Sequence, residues 1–424
     1  MNPQRLRAPV RAPHIAWIAA ALLSTLVSAQ ATAQPSITVS FGRALNSLTS
    51  TDTMTSDDRH TMGGSIDAEQ KLASERLRLF YTLDAGDYTT AGDWRYYQNE
   101  VGGTWQLRKA GTSGPSIFTG ASGTWRTNGD SWAAADYQAL GLFVNAEWTP
   151  RETRTIRAGY RADIRAFPDL PELNQVEHEG FGSFLVNLPS RTTLIAEVQA
   201  GAKRYDVLGP ATTADARTTG APSTGGPSSL SRGRGIGGLS QASGMVMSSA
   251  AYSTTGSVGG TAGQVTLLAR VAQSLADRTG VTLQYLQRTS FGALPTAVVT
   301  TPALFFDDGV YDDPFASNAR EVRGSVKQVL QNGMTIQGSG AWAQKDYRGT
   351  SALGLDGLPL ASGDLRADRI WHAGAAWTLP VLRERTGPVG LALVLDYQFT
   401  RQQSNDAYYN YSSHGLGFGL SVSY

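Results

Sequence analysis

The sequence predicts an all-β fold: one antiparallel β-barrel of about sixteen strands, bounded by about fourteen and about eighteen. Three observations predict it. Apolar residues recur at every second position in stretch after stretch, which is the period of a strand with one apolar face. The connections between those stretches sort by length according to whether they are odd or even in the chain. Finally, the composition suits a sheet and little else, with 47 glycines, 16 tyrosines, 9 tryptophans and no cysteine. With no disulfide or thiolate metal site available, strand pairing must supply the stability.

The first 33 residues read as a secretory leader and are set aside from the fold. Arg5, Arg7 and Arg11 form its basic start, 15–27 its apolar run, and Ala31-Thr32-Ala33 a small-residue cleavage site. Removing those three arginines takes the formal net charge from +1 to −2. A near-neutral chain gives no support for nucleic-acid binding. Beyond the leader no uncharged apolar run reaches the roughly 18 residues a membrane helix needs. Residues 34–424 are expected to form a single domain.

The first predicted strand, 35–45, alternates Ile37, Val39 and Phe41 with Thr38, Ser40 and Gly42. A polar loop over 46–60 follows. Strands are then predicted at 63–71 and 75–86, the latter placing Leu77, Leu79, Tyr81 and Leu83 on one face and Arg76, Arg78, Thr82 and Asp84 on the other. The same pattern predicts strands at 94–108, 115–126, 133–148, 153–167, 176–188 and 191–203. Residues 205–261 are rich in Gly, Ser, Thr and Ala and read as a long low-complexity loop. Alternation resumes at 263–275, 280–291, 318–330, 334–347, 365–379, 389–401 and 408–424, which makes sixteen. In the last of these, Leu416, Phe418, Leu420, Val422 and Tyr424 alternate with Gly415, Gly417, Gly419, Ser421 and Ser423.

Counted from the first, the odd connections include every long one, and the even ones are short turns. A membrane-spanning barrel with both termini on the periplasmic side sorts its loops in this way, whereas a soluble sandwich has no reason to. The chain thus resembles bacterial outer-membrane β-barrels, porin-like proteins among them, in its leader, its loop parity and a last strand that ends on the aromatic Tyr424. The resemblance is one of pattern over the whole mature length. It implies residence in the outer membrane of a Gram-negative bacterium, contact with outer-membrane lipid and lipopolysaccharide, insertion by the barrel-assembly machinery, and possible homo-oligomers.

In such a barrel the apolar register faces lipid and the polar register lines the lumen. The lipid-facing register carries Trp105, Trp125, Trp148, Trp342, Trp371, Trp377 and Tyr424 near strand ends, the positions of an aromatic girdle. The lumen register carries both signs of charge, including Arg76, Arg78, Arg157, Arg161, Asp163, Arg165, Glu177, Glu179 and Arg323. Arg157, Arg161 and Arg165 stack along one strand. Such a ladder biases a pore towards anions, unless Glu177 and Glu179 on the next strand neutralise it.

Chemistry finds little purchase. Mature histidines are His60, His178, His372 and His414, and no nucleophile elbow accompanies them. Asp57-Asp58-Arg59-His60 is expected in the first external loop as a solvated polar segment. In Glu177-His178-Glu179 the histidine of a strand points away from both acids, so the triplet is not a metal site. The acids of 307–313 lack the spacing of a calcium loop and are expected to be solvated. The expectation is therefore a non-enzyme that needs no catalytic residue, metal or cofactor. A channel for small hydrophilic solutes comes first. An export conduit for a secreted polysaccharide and a plugged structural or surface-interaction barrel are the alternatives.

Overall fold

The computed structural model describes residues 36–50, 56–72, 75–88, 95–107, 114–129, 133, 136–169, 171, 174–205, 260–292, 313–355, 358–382 and 390–423. Sixteen strands follow in order: β1 (Ser36–Ser50), β2 (Ser56–Leu72), β3 (Glu75–Tyr88), β4 (Tyr96–Leu107), β5 (Ser116–Asn128), β6 (Tyr137–Arg151), β7 (Arg154–Ala166), β8 (Gln175–Leu188), β9 (Thr192–Tyr205), β10 (Gly260–Ala276), β11 (Thr279–Gly292), β12 (Ser317–Val329), β13 (Thr335–Ser351), β14 (Leu365–Leu382), β15 (Gly390–Ser404) and β16 (Tyr411–Ser423). Each pairs antiparallel with its neighbours in sequence. The first also pairs with the last, Val39 opposite Val422 and Leu45 opposite Leu416, so the sheet closes into a barrel. Closure leaves no row of unpaired backbone donors and acceptors.

The predicted strands appear in number and order, with their ends displaced. Most displacement is at the first hairpin, where Asn46 opposes Arg59 and Ser47 opposes Asp58. Asp57, Asp58, Arg59 and His60 therefore belong to β2 and not to a loop, which corrects that expectation. These ends carry no dyad alternation because neither face is apolar there, and the ladder of backbone hydrogen bonds continues without it. Conversely, the last strand starts at Tyr411, because Ala407–Tyr409 forms one turn of 3-10 helix. The contrast in connection length is narrower than predicted. It rests on 206–259, 293–316 and 352–364, which are all odd and open at one end of the barrel. The leader, Tyr424 and nearly all of 205–261 lie outside the described residues.

The outer face is apolar. On β16 Leu416 is 61 % exposed and Phe418 50 %, while Gly415, Gly417 and Gly419 on the other face are buried. On β6 and β7 the exposed set is Leu140, Leu142, Val144, Trp148, Ile156, Tyr160 and Ile164. A surface of this kind is too extensive for a protein in water. Among the described residues no helix is long and apolar enough to cross a membrane.

Rings on the inner face lie flat over glycines of the adjacent strand. A methyl group at Gly102 would fall 2.5 Å from Phe80 Cζ and 2.8 Å from the Ala121 carbonyl oxygen, and one at Gly120 would fall 2.6 Å from the Phe143 ring. The glycines thus let bulky side chains lie along the wall instead of across the lumen.

Candidate functional site

The candidate site is the inner wall. The nine lumen residues expected from the sequence all fall on the inward register, and most are found in ion pairs along the wall. Arg78 meets Asp67 at 2.5 Å, Arg76 meets Glu69 at 3.9 Å, and Arg323 meets Glu321 at 2.9 Å. The β7 ladder is dispersed by separate partners. Arg157 Nε donates to Glu147 at 2.7 Å, Arg161 pairs with Asp163 on its own strand, and Arg165 lies 4.8 Å over the Tyr137 ring. Glu179 and Glu177 stand opposite Arg161 and Asp163 across the β7–β8 ladder. The wall is accordingly polar and close to internally neutral. Pairs this exposed contribute little to stability each, so their consequence is electrostatic.

Buried polar side chains concentrate on the same wall at the end where the long connections open. Three clusters recur there, each a cation against aromatic rings. In the first, Arg126 lies 4.1 Å over the Tyr96 ring, and the Tyr96 hydroxyl donates to Asp84 at 2.9 Å. Asn128 accepts from Arg126 Nε at 3.0 Å. The Asn128 backbone N–H in turn donates to Asp136 at 2.6 Å, and burial pushes the Asp136 carboxyl above its ordinary value despite that bond.

The second cluster ties a loop to the wall. Lys203 is 1 % exposed, and its ammonium lies 3.1 Å from Asp313, which also accepts from the Tyr205 hydroxyl. Asp313 caps the 3-10 turn Pro314–Ala316 through the Phe315 N–H at 3.0 Å. Phe315 is buried over Gly201, Gln264 donates to the Pro314 carbonyl, and Ser290 Oγ donates to the Ser317 carbonyl at 2.8 Å. The turn before β12 therefore lies across the inner faces of β9, β10 and β11. Asp313 was expected in water with the other acids of its loop; the buried lysine holds it inside. The remaining acids of that loop lie outside the described residues.

The third cluster has the same form. Arg366 donates bidentately to Asp368 at 3.1 and 2.5 Å and is packed between Tyr347 and Tyr409, 4.3 and 3.1 Å from the two ring centres. Gln402 donates to the same carboxylate at 2.9 Å. Tyr409 belongs to the Ala407–Tyr409 turn, so a second connection also folds over the wall. Asp406, fully buried, accepts from the Leu353 N–H at 3.1 Å and links that turn to the β13–β14 connection. Sequence reasoning puts Lys203 on the inward register but missed its pairing with Asp313, and missed Arg366 with Asp368 altogether. The available signal was a lysine or arginine beside aromatics at a strand end, and it does not reveal partners distant in sequence.

The histidines are dispersed. His178 and His414 face outward, each with its Nδ1 at a tyrosine hydroxyl: Tyr160 at 2.5 Å and Tyr397 at 2.9 Å. His372 faces inward against Thr400 at 2.9 Å. No group of three acid or histidine side chains among the described residues is arranged to hold a metal. Of the expected girdle, Trp105, Trp148 and Trp377 are exposed on the outward register near the short-turn end. Trp125, Trp342 and Trp371 stand on that register farther towards the long-connection end, partly covered, with Trp342 directly opposite Trp371.

No family model and no curated protein matches the chain. Among solved structures it is similar to OccAB1 of Acinetobacter baumannii, at 9% identity and a TM-score of 0.47 over 93% of this chain and 99% of that one. OpdQ of Pseudomonas aeruginosa follows at 6% and 0.46, over 92% and 97%. A bacterial polysaccharide outer membrane secretin stands at 7% and 0.44, over 92% and 97%. Likeness at this level says nothing of solute or partner. The barrel stands on its own strand pairing.

Proposed function

We propose that the chain is an outer-membrane channel for small hydrophilic solutes, with its termini periplasmic and its long connections external. The observation that carries this is a closed sixteen-stranded barrel, apolar outside and lined inside by ion-paired polar residues. A barrel of that strand number leaves an aqueous lumen unless loops obstruct it. The wall has charge of both signs at Arg76, Arg78, Arg157, Arg161, Asp163, Arg165, Glu177, Glu179 and Arg323, which suits passage of water-soluble molecules with weak preference for sign. The tryptophans of the outward register serve as the interfacial girdle. Two connections folded over the wall, at Pro314–Ala316 and Ala407–Tyr409, narrow one mouth and favour small solutes over a polymer.

Purified protein in a planar bilayer tests this directly. Stable open steps are expected, together with exclusion of larger neutral polymers from the lumen. Silence from protein that is folded by heat-modifiable migration would replace the channel with a plugged barrel.

A further inference from the structure

The outward face has a second, localised chemistry. Strand register places Gln287, Arg320, Gln344, Arg369 and Gln403 side by side in one row across β11 to β15. One step nearer the short-turn end runs a row of Tyr285, Val322, Trp342, Trp371 and Arg401. Tyr285 and Val322 are each 41 % exposed on this face, so both rows point away from the lumen. Arg320, Arg369 and Arg401 are exposed, and none forms an ion pair among the described residues. Asp346, one row farther towards the long-connection end and diagonal to Arg320 and Arg369, accepts from the Gln344 amide at 3.1 Å, so the patch holds three positive charges against one negative.

Elsewhere at this depth the outward face carries a lone cation or none: Arg204 on β9 stands between Val176 and Thr261. At the same end of β3 to β6 the outward rows are Ala85, Tyr97 and Thr127, then Trp125 and Gln138, without charge. Three guanidinium groups without an acid partner, Arg320 and Arg369 in one membrane-facing row and Arg401 in the next, make a basic patch that favours an anion at headgroup level. The anion must also tolerate a tryptophan row beside it. A dissolved anion lacks that apolar part, while a phosphorylated glycolipid has both, with phosphate at headgroup level and acyl chains below. Arg320 and Arg369 are two strands apart, about 10 Å at sheet spacing, which suits two separate phosphates.

We infer that the outward face of β12 to β15 is a binding site for the phosphorylated headgroup of lipopolysaccharide, held by Arg320 and Arg369 above the Trp342 and Trp371 rings and by Arg401 beside them. This rests on the membrane orientation proposed above.

The test is retention of lipid A by the whole protein reconstituted in phosphatidylethanolamine nanodiscs, read by mass spectrometry. Wild type is expected to retain diphosphorylated lipid A preferentially over its dephosphorylated form. The triple variant Arg320→Gln, Arg369→Gln, Arg401→Gln is expected to weaken retention by about a hundredfold with conductance unchanged. Equal retention of the two lipid A forms by the wild type would overturn the site, and needs no variant to fold. Equal retention of phosphatidylglycerol would overturn the assignment to lipopolysaccharide. Failure of the channel reading would appear separately, as absent conductance.

Discussion

Lys203 illustrates what one side chain decides here. Its ammonium is 3.1 Å from Asp313, and both groups are nearly inaccessible to water. Removing one partner of a buried pair leaves a charge without compensation, which costs several kcal/mol. Lys203→Met is accordingly expected to lower stability by about 3 kcal/mol, read from the urea midpoint in detergent or lipid. Adding Asp313→Asn should recover part of the loss, because asparagine still accepts from the Phe315 N–H without a charge. Arg191 makes the opposite case. It has a positive φ, 59°, in the turn between β8 and β9, and its ion pair with Asp277 is mostly exposed. Arg191→Gly should therefore be neutral or stabilising, by up to about 1 kcal/mol, in the same assay.

At the scale of elements, neighbouring strands are fitted to one another by size. Phe80 on β3 lies over Gly102 on β4, and Phe143 on β6 lies over Gly120 on β5. Gly102→Val places methyl groups against both the Phe80 ring and the Ala121 carbonyl, and a backbone oxygen in a ladder cannot move aside freely. The expected result is a loss of about 1–3 kcal/mol and a slower assembly into heat-resistant barrel. Gly123, which has no atom within 4 Å of an added methyl group, is the matched control: Gly123→Ala should fold normally.

For the whole molecule the useful quantity is the balance of charge along the lumen. Because Arg78, Arg157, Arg161 and Arg323 each have an acid beside them, the open channel is expected to discriminate weakly between small cations and anions. Arg323→Gln leaves Glu321 without its partner and should move the reversal potential in a salt gradient towards cation selectivity. An unchanged reversal potential would mean that this part of the wall does not border the ion path.

How much of this was legible follows from period and distance along the chain. Dyad alternation determined sixteen strands and their order, as well as which face of each is apolar, because every strand in a closed barrel has one face to each medium. The alternation fails where both faces are polar, so Asn46 to Ser50 and Ser56 to His60 look like loop and are ladder. Likewise the pairing of Arg161 with Asp163 is local and could be read from the strand. Only the tertiary structure decided that Asp313 returns to Lys203, that Tyr409 covers Arg366, and that Arg320, Arg369 and Arg401 fall in adjacent rows of one outer patch. Those relations depend on strand register and loop path, and a residue's own neighbours in sequence carry no record of either.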